Sequence, residues 1–207
     1  MDTGYFACSE QDCSGLTINR YRHNSWEYVF RFLKASLSLK TNKALDAQAA
    51  IHDLHHISSV ASDRGDHAIF LLSSLMEIIA HLSFPTPESA EQMQFALARA
   101  WTYQTEVGSK TPQLLVLTHI LDVTCSLLYG LPVHTESKQK AMEEAFKGSV
   151  WSTTINLRDS FAVPIIASNI QTHLVSSDTR GILSTSEEGK ETLLVSFLNN
   201  NDTFALM

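Results

Sequence analysis

Three stretches of this chain fall into register at a spacing of 45 residues, and that periodicity limits the fold more than any other feature of the sequence. Trp26, Leu71 and Val116 align, as do Phe30, Leu75 and Ile120, and Leu33, Ile78 and Val123. Ala35, Ala80 and Cys125 follow, then the polar set Ser36, His81 and Ser126, then Leu37, Leu82 and Leu127. A fixed period of about 20 to 50 residues is the mark of an array in which each unit buries its apolar face only against its neighbours.

Punctuation shows what is being repeated. Helical segments are expected at His23 to Lys40, Lys43 to Asp63, Asp66 to Leu82, Pro87 to Val107, from Thr111-Pro112 to Tyr129, and Thr135 to Lys147. Gly65 ends the second as a left-handed cap, and Thr86-Pro87 and Thr111-Pro112 open the fourth and fifth as a cap followed by proline at the first helical position. Loops this short make successive helices antiparallel, so residues 21 to 147 read as three helix hairpins. Eight glycines and five prolines, with 44% hydrophobic residues, suit such an all-α solenoid.

The rest of the chain departs from the pattern. Residues 1 to 20 read as a poorly ordered extension. Residues 148 to 199 are rich in Ser, Thr and β-branched residues, and GILSTSEEGKETLLVSFL reads as two strands about a turn at Glu188-Gly189, a β-hairpin within an extended insertion. Asn201-Asp202 caps a further helix beginning TFALM, so residues 200 to 207 are expected to be the start of a helix that continues in a longer protein.

Composition excludes some functions. The net charge is −7 with no basic cluster, whereas a surface that binds duplex nucleic acid needs one to displace counterions. Three scattered cysteines do not make a disulfide framework, and no apolar run is long enough to span a membrane. The stretch HDLHH sets His52 and His56 one helical turn apart, the spacing of two zinc ligands, but both lie away from the apolar stripe of their helix and no third ligand is in view. Glu77 and His81, also one turn apart, read as a surface pair or a contact to the neighbouring repeat. Cys8 and Cys13 lack a second pair, and Cys125 falls on an apolar side. No phosphate loop or nucleophile elbow occurs. The chain carries no catalytic signature, and no cofactor or metal is expected.

The third and fifth segments are apolar over more than half their circumference, with polar strips at Ser73, Glu77 and His81 and at Thr118, Asp122 and Ser126. Helices of this kind are inner helices, packed on several sides. An apolar face left on the groove is normally covered by a bound segment. Residues outside the most obvious seam between the two helices of a hairpin are the groove candidates: Tyr28, Arg31, Met76, Ile79, Leu121 and Leu128.

The runs WEYVFRFLKASLSLKTNKALDAQAAIHDLHHISSVASDRGDHAIFLLSSLMEIIAHL, PESAEQMQFALARAWTYQ and LLVLTHILDVTCSLLYG resemble the middle part of the TPR-type subunit of the cohesin loader in its filamentous-fungal form. WSTTINLRDSFAVPI and GILSTSEEGKETLLVSFLNNNDTFALM resemble that family's insertion and following helix. The resemblance covers residues 22 to 207, although the spacing of 45 exceeds the usual TPR period of about 34. It implies a right-handed superhelix whose groove clasps the extended N-terminal segment of the large HEAT-repeat loader subunit. It also implies a nuclear, chromatin-associated, non-catalytic role in loading cohesin for sister chromatid cohesion, with cohesin and chromatin reached indirectly. Two alternatives stand beside it: a scaffold of another helical-repeat assembly, and a metal-dependent enzyme using His52 and His56, which requires stoichiometric zinc.

Overall fold

The computed structural model describes residues 10–41, 43–128, 132–148, 161–166, 182–185 and 191–195. Six helices follow one another: α1 (Glu10–Lys40), α2 (Ala44–Arg64), α3 (His67–Ser83), α4 (Ser89–Gly108), α5 (Pro112–Leu128) and α6 (Pro132–Gly148). The period survives in the coordinates. Helices α3 and α5 begin at His67 and Pro112 and end at Ser83 and Leu128, and α2 and α4 begin at Ala44 and Ser89, each pair 45 residues apart. Every helix packs on the next in the chain, and α5 also lies beside α3.

Local chemistry sets the ends. Gly65 sits at φ 73, and the amide of Asp66 donates to the Ala61 carbonyl at 2.9 Å, which closes α2 with a left-handed cap. At α4, the Thr86 amide donates to Ser89 Oγ at 2.7 Å, while Pro87 and Glu88 form a turn ahead of the helix. Thr111 does not cap α5; its hydroxyl donates back to the Val107 carbonyl at 3.0 Å and holds the α4–α5 turn. Helix α1 starts at Glu10, well before His23, so residues 10–20 are helical where an extension is expected. Extending a formed helix costs little compared with nucleating one, even across Gly15.

The fold is mostly helical but not all-α, because a three-stranded antiparallel sheet packs on the array: β1 (Phe161–Pro164), β2 (Leu183–Thr185) and β3 (Glu191–Val195) in the order β1-β3-β2. The expected hairpin is β2–β3, with Leu183 opposite Leu193. Strand β1 is the addition, pairing Phe161 with Val195 and Val163 with Leu193. Phe161, Val163, Ile165, Leu183, Leu193 and Val195 join one core with the helices, β1 lying on α3 and β3 touching α1. Residues 1–9 and 200–207, expected as the start of the extension and of a new helix, lie outside the described residues.

A buried carboxylate marks each hairpin. Asp53 of α2 pairs with Arg31 at 2.9 Å and Lys34 at 2.7 Å of α1. Glu77 of α3 pairs with Arg99 of α4. Asp122 of α5 pairs with Lys138 of α6 at 2.6 Å, and the same ammonium donates to Ser126 Oγ at 2.7 Å. Glu77 and Asp122 are repeat equivalents, so the polar strips of α3 and α5 join each inner helix to its outer partner.

Candidate interaction face

Those pairings fix which side of each inner helix looks where. Ser73 Oγ lies 2.8 Å from Ser58 Oγ of α2, and Glu77 meets both Arg99 and, at 2.9 Å, His55 Nε2 of α2. The outer helices therefore lie against the polar strip of α3. At 3.6 residues per turn, Leu71, Leu75, Ile78 and Leu82 fall on the opposite side. In α1, Tyr28, Phe32 and Ala35 are buried and Leu39 is partly buried on the side toward α2, and the equivalents of the α3 row, Trp26, Phe30, Leu33 and Leu37, face away.

The two rows meet different fates. On α3, Leu71, Leu75 and Ile78 are wholly buried, with β1 and α5 packed on that helix. On α1, Phe30 is 61% exposed, Leu33 48% and Leu37 56%, and the Trp26 ring stacks on Phe30 at 5.6 Å. At the far end Leu127 and Leu128 are also exposed. A row of large apolar side chains in water along one helix face marks an interaction surface more strongly than scattered exposed leucines do.

The six groove candidates divide. Tyr28, Met76 and Leu121 have no exposed surface; they are core residues of this chain, and their contacts are its own. Arg31 is engaged by Glu27 and Asp53, Ile79 is partly buried, and Leu128 stands in solvent at 60%. Phe30, Leu33 and Leu37, outside that set, are the large apolar side chains of α1 that stand exposed. They are positions with a clear repeat register, and the signal lay in the polar strip: once Glu77 is turned toward α2 and α4, the apolar row lies on the side away from them.

HDLHH proves to be a junction of polar contacts between helices. His52 is exposed, Asp53 holds α1, Leu54 is core, His55 reaches Glu77, and His56 Nε2 lies 2.8 Å from Glu27 Oε1. Burial raises the Glu27 carboxyl, but hydrogen bonds from His56 and Arg31 outweigh it and hold the group below its ordinary range. Among the described residues no group of three or more histidine, cysteine or acidic side chains could hold a metal ion. Burial pushes the Cys125 thiol up to about 11, so it stays protonated at neutral pH. No described helix is long and apolar enough to cross a membrane.

A buried histidine, His81, and a half-buried one, His119, give the fold a pH dependence. Burial pushes the His81 imidazole below its ordinary 6.5, with His55 adding to the effect and Glu77 opposing it, and Nε2 has no hydrogen-bond partner among the described residues. His119 is lowered by burial and opposed by Asp122. Below pH 6.5 the unfolded chain therefore binds protons that the folded chain resists, so stability falls as the pH drops from that value toward the lowered folded values. The urea midpoint should be lower at pH 5.5 than at 7.5, and a His81→Gln/His119→Gln variant should lose part of that slope. An unchanged slope in the variant would contradict the assignment.

A family model described as cohesin loading factor matches residues 13–207. The chain belongs to the cohesin loading factor family. The match spans the helical array and the sheet together. Membership places this cohesin loading factor in the loading of cohesin, a chromatin function carried out with partners of the loading complex. No curated protein and no solved structure matches the chain.

Proposed function

We propose that this cohesin loading factor is a non-catalytic scaffold that holds the N-terminal segment of the large HEAT-repeat loader subunit, and that the pair loads cohesin onto chromatin in the nucleus for sister chromatid cohesion. The observation that carries the reading is the open apolar row Phe30, Leu33 and Leu37, with the partly buried Trp26 stacked at its end, which the array leaves in water on the side away from its outer helices. The three hairpins at a period of 45 fit a TPR-like right-handed superhelix, and in such a shape that side lines the groove. The acidic balance of the chain agrees with contacts to DNA being made by the partner.

Of the six earlier candidates, Leu128 and the partly exposed Ile79 and Arg31 lie where a groove ligand could reach them, whereas glutamate at Met76 or Leu121 should unfold the chain. The test is co-expression with the N-terminal segment of the large subunit from the same source. A soluble complex of one to one stoichiometry is expected. A folded chain that captures none of the segment would overturn the reading in favour of a scaffold for another assembly.

A further inference from the structure

Resting on that reading, we infer that the α1 row receives a short amphipathic helix of the partner, antiparallel to α1, with acidic residues flanking its apolar stripe. Trp26, Phe30, Leu33 and Leu37 are spaced four, three and four residues apart. That alternation is the seam of a two-helix coiled coil, in which each side chain enters a hole between residues of a facing helix. The row is about 16 Å long, three turns of helix.

The flanking charges give the direction. Beside Leu33 and Leu37, Lys34 and Lys40 stand exposed on the two sides of the row, Lys34 on the side that also reaches Asp53. Lys40 ends α1, the negative pole of the helix. A partner helix that brings its N-terminal turn to this end meets both lysines, and acidic residues are favoured in that turn on their own account. A second copy of this chain fits less well. It offers one carboxylate on the described flank of the row, Glu27, against the two cations Lys34 and Lys40, and Glu27 already shares its charge with Arg31 and His56 as Lys34 does with Asp53.

The experiment titrates the full chain with overlapping synthetic peptides spanning the N-terminal segment of the large subunit, read by fluorescence anisotropy and difference circular dichroism. One peptide should bind and gain helical ellipticity. Lys34→Glu/Lys40→Glu should weaken it about tenfold at low salt, and Phe30→Ala/Leu33→Ala should abolish it while leaving the helicity of the free chain unchanged. A bound peptide without helical signal, or one indifferent to the alanine pair, would overturn the inference, although capture of the whole segment would leave the scaffold reading standing. Loss of both peptide binding and capture would remove the two together. A dimer in sedimentation that Phe30→Glu breaks would assign the row to a second copy and overturn the inference as well.

Discussion

Replacing Asp66 by alanine is expected to lower stability by about 3 kcal/mol and to release the sheet from the helices. Asp66 is 1% exposed at the α2–α3 turn, and its two oxygens serve different parts of the molecule. The Tyr28 hydroxyl of α1 donates to Oδ2 at 2.9 Å, and the Ile166 amide, just past β1, donates to Oδ1 at 2.8 Å. Arg64 stands 3.5 Å away. The carboxylate makes no cap bond to α3; it is committed to these remote partners. Burial, with Asp66 adding to it, drives the Tyr28 phenol far above its ordinary range, so the hydroxyl remains a donor throughout the working pH range. Alanine leaves the buried Tyr28 hydroxyl and the partly buried Ile166 amide without their acceptor, and the cost of each unmade bond adds to the lost pair. Tyr28→Phe removes one bond and should cost only about 1 kcal/mol. Urea unfolding gives the totals, and amide exchange shows where the loss falls: β1 and β3 should lose protection in the Asp66 variant well before α2 and α3. Equal protection across the chain, or a cost below that of Tyr28→Phe, would mean that the sheet is held by apolar contact alone.

A second large effect is expected at Arg99. Glu77 is 1% exposed, and Arg99 of α4 is its strong partner, with His55 of α2 on the other oxygen. Arg99→Ala leaves that carboxylate enclosed with only a histidine beside it, a loss of about 3 kcal/mol. The asymmetry of buried pairs makes the account checkable. Removing both members as Glu77→Leu/Arg99→Met should restore most of the loss, because the paired charges gain little over their own desolvation. Asp53→Asn, which frees two cations already in reach of solvent, should cost less than Arg99→Ala. A double variant no better than Arg99→Ala would show that the ion pair specifies the hairpin and does not merely tolerate burial.

The helical array was readable because its signals are local. Gly65, the proline that opens α5 and the 3.6-residue periodicity each act within a few residues, and the 45-residue register adds their agreement across three units. Strand β1 was not readable in the same way. FAVP has four residues and no turn partner nearby; it is a strand because Leu193 and Val195, some thirty residues later, offer it an edge. The apolar rows show a similar split. The rows were in the sequence, but their phase was set by contacts between helices, namely Arg99 on Glu77 and Lys138 on Asp122. Choosing residues by distance from the seam placed Tyr28, Met76 and Leu121 in a groove when they fill the core. The exposed state of Phe30, Leu33 and Leu37 depends on what covers α3 and leaves α1 open, a fact of packing that no single helix carries.

The most direct test of the central claim is to co-purify the full chain and its Phe30→Glu/Leu33→Glu variant with the N-terminal segment of the large loader subunit, with circular dichroism confirming that both are folded. The account predicts a stoichiometric complex for the native sequence and none for the variant at equal helicity. Equal capture by both would place the partner elsewhere on the molecule and contradict the assignment of this face.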